Sequence, residues 1–414
     1  MIRLIVLALA VTAASGLNAP NPAAAPHGGL RLQRVVLVMR HGVRPPTQSN
    51  ADLAKYADQP WPAWPVAPGE LTPHGAETVR LMGESIRAAY RAAGLLPADG
   101  CGPAGTVSVW ADGADERTRK TGVAMAAALA PGCDVKAGWT DAQPRDPIFG
   151  GPATGECHVS PAAVAESMKQ AAGGPAGSMP VGDAVARLQA IFAPKACAGG
   201  GGTCFTAEAE KTAAAGAMSG PFPQAAGLAE DILLEYADGK PMREVGWGRA
   251  RAADIGAIMP IHERAFAIIK DAKAFAADRG APMVHVILGA LAGKTVEGGP
   301  QSGPETKLLV LAGHDTNLVL MASLFGLSWT LPGEPDATAP STALAFELWT
   351  EGGKAYVRPV IYYETLAQLR TLKPAHARAL PLAFKDCASG PLGSCPLETL
   401  RQRALSVLPP CDDR

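Results

Sequence analysis

The 414-residue chain has almost no net charge, with 37 lysines and arginines against 38 aspartates and glutamates. No broad field therefore exists to attract nucleic acid or an anionic membrane, and any anion site must be local. Metal and redox signatures are missing as well. None of the eight cysteines forms a C-x-x-C pair, which argues against a zinc ribbon or a thioredoxin-type centre. H-E-x-x-H is absent, and the glycine run at 199–202 lacks the Gly-Lys-Ser/Thr ending of a phosphate-cradling P-loop. Long apolar runs are confined to the start of the chain. There Arg3 precedes the apolar stretch Leu4 to Ala14, and small residues follow. This is the shape of a signal peptide within residues 1–26, with several cleavage sites fitting equally well. The stretch is short for a membrane span.

Export agrees with what the cysteines offer. Their even number, all beyond the leader, suggests disulfides, although eight cysteines allow 105 pairings. Cys197/Cys204 and Cys387/Cys395 are close enough in sequence to staple local hairpins. A hydrophobic content of 48% in a chain this long supports a sizeable core and more than one subdomain.

The segment "VVLVMRHGVRPPT", Val35 to Thr47, sets a buried-strand pattern directly against Arg40, His41 and Arg44. Continuous β-branched runs of this kind suit a parallel sheet covered on both faces. Gly42 and Pro45-Pro46 stop the strand, and ligands of open α/β sheets bind beyond the carboxyl ends of strands. "LTPHGAETVRLMGESIRAAY" then predicts a helix capped by Thr72, with Pro73 at its first position and Val79, Met82, Ile86 and Tyr90 on its buried face. "TVSVWAD" predicts a second strand, followed by a helix from "ERTRKTG". Leu308 to Ala312 is a third such run, ending in Gly313, His314 and Asp315, with a helix after it. "ALAFELW" and "AYVRPVIYY" predict two further strands that pair near the end.

Strand–helix alternation predicts an α/β fold, a doubly wound and mainly parallel sheet, built from residues 30–156 and 241–414. Between them, 157–240 is rich in alanine and glycine and predicts an inserted, smaller, mainly helical domain.

Two apolar strands thus each end in a histidine beside another polar group, in a chain with eight histidines. If these strands and the one before Arg117 are neighbours, one crevice holds Arg40, Arg44, Arg117, His41, His314 and Asp315. Such a set suits a phosphate monoester. Arginine forks bind phosphate oxygens bidentately, a neutral imidazole can attack phosphorus, and a carboxylic acid can protonate the leaving alkoxide. The constellation needs neither metal nor other cofactor. His27, His74, His158, His285 and His376 are expected in structural or surface roles; His262 stays open.

"RHGVRPPT" and "HDTN" resemble the two signatures of the histidine acid phosphatases, and "WPAWPV", "LTPHG", "DERTRKTG", "GWGR" and "WTLPGEPD" follow in the order of the bacterial periplasmic, phytase-like branch. The resemblance implies His41 as nucleophile, Asp315 as proton donor, and Arg40, Arg44, Arg117 and His314 as the phosphate clamp. It also implies Thr47 at the pocket rim and Asp112, Asp231 and His262 near specificity positions. It further implies the pairs Cys101–Cys133, Cys157–Cys411, Cys197–Cys204 and Cys387–Cys395. The expected protein is an exported acid phosphomonoesterase, periplasmic or secreted, acting on small phosphate esters with inositol hexakisphosphate among the candidates, and a monomer is favoured. A sugar-phosphate phosphatase of the glucose-1-phosphatase type is the alternative within the family, and a non-catalytic phosphate-ester binder the alternative outside it.

Overall fold

Strand β1, Arg31–Arg40, is buried from Val35 onward because both of its faces are covered. Val35, Leu37 and Met39 enter one apolar layer, with Val79, Met82 and Ile86 of helix α2 (Pro73–Ala92) and Met125 of α3 (Glu116–Leu129). Val36 and Val38 enter the other, with residues of α9 (Lys273–Leu291) and α10 (Asp315–Phe325). Unbroken hydrophobicity along this strand is therefore the signature of a three-layer α/β sandwich.

The computed structural model describes residues 29–141, 146–150, 159–205, 221–296 and 299–409. The expected leader, Cys157, His158 and Cys411 lie outside the described residues, and with them the Cys157–Cys411 pairing. The other three expected disulfides, Cys101–Cys133, Cys197–Cys204 and Cys387–Cys395, are formed. No helix among the described residues is long and apolar enough to cross a membrane.

Among the described residues one sheet runs in the order β3-β2-β4-β1-β5-β6-β7, with β8 paired to β6. Its members are β2 (Val107–Ala111), β3 (Ala137–Gly138), β4 (Leu308–Gly313), β5 (Ala343–Glu351), β6 (Lys354–Tyr363), β7 (Arg378–Pro381) and β8 (Cys395–Pro396). The half that carries the strand-end histidines, β3-β2-β4-β1, is parallel. From β5 outward the pairing is antiparallel, and β5–β6 is the expected terminal strand pair. Strand β4, last of the parallel four in sequence, enters between β1 and β2, so the connections diverge there and leave a crevice at the carboxyl ends.

Helix α2 begins where the sequence indicates. The Thr72 hydroxyl accepts a hydrogen bond from Gly75 N at 2.8 Å and lies 2.6 Å from Asp238 Oδ1, to which it can donate. The helix start presses on the loop after β1. A Cβ on Gly75 would lie 2.2 Å from the Val43 carbonyl oxygen, and one on Gly42 2.4 Å from that of Gly75, so neither position admits a side chain. Thr72→Ala removes the cap and the partner of Asp238. It should lower unfolding free energy by roughly 1–2 kcal/mol, read as a reduced denaturant midpoint with an unchanged slope.

The described helices between residues 161 and 271 are α4 (Pro161–Gly173), α5 (Gly182–Phe192), α6 (Pro221–Ala237), α7 (Ala252–Ile258) and α8 (Pro260–Asp271). They share an apolar cluster with Val43, Leu53, Tyr56 and Trp61 from the loop after β1. That loop, which includes the short helix α1 (Asn50–Leu53), is ordered, as its tryptophans and prolines suggest. Trp61 Nε1 donates to Leu53 O at 2.9 Å, and Lys240 Nζ sits 4.0 Å over the Trp64 ring. Helix α6 thereby lies against the segment that follows Arg44, which brings its acidic residues to the crevice.

Candidate active site

Three strand ends are level. Arg40 pairs in register with Gly313, and Ala111 with Ala312. Two further backbone bonds extend the ladder past the strands: His41 N to Gly313 O at 2.9 Å and Asp112 N to Ala312 O at 3.0 Å. His41, Asp112 and His314 therefore leave the sheet side by side. The His41 and His314 rings lie 5.7 Å apart, nearly perpendicular.

His41 is buried, and its Nδ1 lies 2.8 Å from the Gly42 carbonyl. A carbonyl oxygen only accepts, so Nδ1 carries the proton and Nε2 keeps its lone pair. Burial first, and then the positive charges of Arg117, Arg44 and Arg40, hold the imidazole well below its ordinary basicity. Both effects favour the neutral imidazole, the form that can act as a nucleophile.

Arg40 is wholly buried and faces three carboxylates. Nη1 donates to Asp336 Oδ2 at 3.0 Å and to Thr338 O at 2.7 Å. Nη2 pairs with Asp315 Oδ2 at 3.2 Å and with Glu230 of α6. The other Glu230 oxygen takes Arg44 Nη2 at 3.2 Å, so one carboxylate bridges two arginines. Burial and the neighbouring arginines lower Arg44 only to about 10, which leaves it charged. Arg117 is fixed by Asp115 Oδ1 at 3.0 Å and Gly69 O at 3.3 Å. The same Asp115 lies 3.5 Å from His314 Nε2, whose closer partner is Asp112 Oδ2 at 2.8 Å.

Asp315 occupies the first turn of α10, where Asn317 Oδ1 takes the His314 N–H at 2.8 Å and fixes the turn. Burial pushes its carboxyl up, but Arg40, His262, His314 and Arg44 outweigh that and hold it at about 2. Without ligand, Asp315 is ionised.

Arg40, His41, Arg44, Arg117, His314 and Asp315 thus gather in one crevice. Thr47 stands at an exposed edge beside Gln48. Asp112 is buried behind His314. Asp231 is buried and raised to about 7 by desolvation, against the pull of Arg44. His262 is buried, with its ring 4.3 Å from that of Phe266 and Nδ1 3.7 Å from Asp336 Oδ1. His74 makes a structural contact, Nε2 to Leu369 O at 2.6 Å.

Sequence reasoning passed over Glu230, Asp115 and Asp336. The signal for Glu230 was the acidic pair in the otherwise apolar run "LAEDILL". The other two stand inside motifs already quoted, Asp115 opening "DERTRKTG" and Asp336 closing "WTLPGEPD".

The family described as "Histidine phosphatase superfamily (branch 2)" matches residues 31–150. Phytase AppA of Escherichia coli (strain K12) is 32% identical over 390 residues, covering 87% of each chain. The chain belongs to branch 2 of the histidine phosphatase superfamily. It is a histidine acid phosphatase, a phytase-like phosphomonoesterase. Other members of the family are similar along most of their length. Glucose-1-phosphatase of Salmonella typhimurium is 26% identical over 410 residues, covering 95% of this chain and 96% of that protein. Hafnia alvei phytase in complex with tartrate superposes with a TM-score of 0.81 at 32% identity, over 93% of this chain and 99% of that one. The same phytase in complex with myo-inositol hexakis sulphate gives a TM-score of 0.79 at 30% identity, over 93% of this chain and 99% of that one.

Proposed function

We propose that the protein hydrolyses phosphate monoesters through a phosphohistidine on His41. The observation that carries this reading is the contact of His41 Nδ1 with Gly42 O, which leaves Nε2 as the lone-pair nitrogen, among three arginines that favour the neutral ring. Arg40, Arg44 and Arg117, with His314, hold the phosphoryl oxygens and offset the charge that develops on them. His41 Nε2 attacks phosphorus, the ester P–O bond breaks, and the departing alkoxide takes a proton from Asp315. Water then attacks the phosphohistidine, the Asp315 carboxylate takes up its proton, and inorganic phosphate leaves with His41 restored.

Glu230 holds Arg40 and Arg44 in the way two phosphate oxygens would, so it must give way as the ester enters. Glu230→Gln weakens that contact by removing its charge. Inorganic phosphate should then bind about tenfold more tightly, the scale of one charged hydrogen bond; calorimetric titration gives the value. Weaker binding would mean that Glu230 is needed to orient the two arginines.

Inositol hexakisphosphate is a proposed substrate, supported by the phytase relatives. Exclusive specificity is not proposed, because the rim supplies little additional positive charge. Gln48 is uncharged, Arg119 Nη1 turns back to Gly113 O, and Lys120 pairs with Glu116. The same poverty of rim cations favours a second reading, a sugar phosphatase of the glucose-1-phosphatase type. Turnover of inositol hexakisphosphate, glucose 1-phosphate and p-nitrophenyl phosphate at pH 4–5 separates them. All three should release phosphate, and no release from the hexakisphosphate would leave the sugar-phosphatase reading. No turnover of any would return the protein to a binding role. Periplasmic location is proposed with this activity, supported by the three disulfides and the leader.

A further inference from the structure

A second group of acids lies on the far side of Arg40. Asp336 is fully buried, its Oδ2 holding Arg40 and its Oδ1 accepting from Thr338 N at 2.8 Å and from Thr338 Oγ1 at 2.9 Å. Its own N–H donates to Glu334 Oε1 at 3.1 Å, and the neighbouring Ala337 N–H donates to Glu263 Oε1 at 2.9 Å. One polar atom from each of His262, Glu263 and Asp336 lies within 4.8 Å of the other two. Glu334 Oε2 and His262 Nδ1 are buried without a hydrogen-bond partner. The proposed mechanism uses neither glutamate.

We infer that Glu263 is a positioning residue that sets the charge of the anion clamp: protonated it leaves the Arg40 charge for a phosphoryl group, ionised it opposes that charge. The inference rests on the phosphate-clamp reading of Arg40 and Arg44.

The geometry favours a neutral form. Arg40 already faces Glu230, Asp315 and Asp336. Glu334 is buried and Glu263 half-buried, and ionising either would set a like charge beside buried Asp336 with that guanidinium already committed. Burial, and then the Asp336 charge, push Glu263 up to about 7 and Glu334 well above the ordinary carboxyl range. Glu334 Oε2 has no hydrogen-bond donor, so ionising it would leave a buried charge uncompensated, whereas Glu263 is half-buried and accepts from Ala337 N. Charged groups around the cluster are Arg40 from β1, Arg44 from the loop after it, Asp336 from the loop before β5, and Asp315 from α10, with Glu230 of α6 behind the two arginines; Arg264 of α8 turns away to Met179 O. His262 shares α8 with it. Ionisable side chains on α4, α5 and α7 are exposed or paired, as Arg187 is with Asp254 at 2.7 Å. On α9, Asp278 is 3.3 Å from Arg279, and Lys273 donates to Ser323. As pH rises through 7, Glu263 loses its proton and the potential at the clamp becomes less positive.

Inorganic sulfate is the probe, because it remains a dianion throughout this range whereas phosphate does not. Its dissociation constant is measured by calorimetry at pH 5 and pH 8 for the protein and for Glu263→Gln, which keeps the acceptor for Ala337 N. The two should bind equally at pH 5. At pH 8 the protein should weaken about fivefold more than the variant, the effect of one added charge in a partly screened site. Titration of Asp231 beside Arg44 is common to both proteins and cancels. Equal weakening in both overturns the inference while leaving the clamp intact. Absence of sulfate binding at pH 5 overturns the clamp itself, and the inference with it. Should Glu263→Gln fail to fold, Glu263→Met carries the same test, because it too is neutral and of similar length.

Discussion

His41→Ala should lower kcat on every phosphate ester by on the order of 10⁵-fold, as loss of a covalent nucleophile does in other hydrolases. That corresponds to roughly 7 kcal/mol of barrier. Binding should survive, because the arginines that hold the phosphoryl group are anchored by Asp336, the Pro45 carbonyl and Asp115 and not by the imidazole. Labelled substrate mixed with the unmodified protein and quenched in base should leave label on His41. The label should be stable in alkali and lost in acid, as a phosphoramidate is. Turnover near the unmodified rate in His41→Ala, or label on another residue, would end the assignment.

Asp315→Asn should separate substrates by their leaving groups. An alkoxide leaves poorly without a proton, and general-acid catalysis contributes about 10²–10⁴-fold. The variant should lose that much on sugar and inositol phosphates, clearly less on p-nitrophenyl phosphate, and still form the phosphohistidine. Equal losses on good and poor leaving groups would remove Asp315 from proton donation. The carboxyl at about 2 in the unliganded protein does not contradict this role. Phosphate monoesters have a second pKa near 6. At pH 4–5 the ester arrives as a monoanion, and its proton can pass to Asp315 as the arginines take over the phosphoryl oxygens. The sign follows: kcat/KM should fall by about tenfold per pH unit above 6, as the proton-bearing ester disappears.

The strand ends were legible in the sequence for a specific reason. β1 and β4 are covered on both faces, so their apolar runs are unbroken, and Arg40-His41 and His314-Asp315 stand out against them. Thr72 and Pro73 marked the helix start equally well. Glu230 was not legible, because its meaning lies in two arginines 190 and 186 residues away. A glutamate inside an amphipathic helix reads as its polar edge. Glu263 was hidden in the same way, because its contact with the loop of Asp336 spans more than seventy residues; Glu334 lies two residues from Asp336 in "WTLPGEPD", but the spacing does not show that both are buried. Asp112 was read as a specificity position on family resemblance, and its bond to His314 spans 202 residues.

The order in which the parallel strands are made has a consequence for timing. Ribosomes deliver His41 and Arg117 early, but β4 fills the gap between β1 and β2 only after Gly313 has emerged. Until then β1 and β2 have no common neighbour, and His314 and Asp315 do not yet exist. Pairings this distant in sequence form late, after the loop-closure entropy has been met. A nascent chain therefore carries the imidazole without its acid, and a complete but unfolded one has the two unassembled; under the proposed periplasmic location, cellular phosphate esters meet no working site before export.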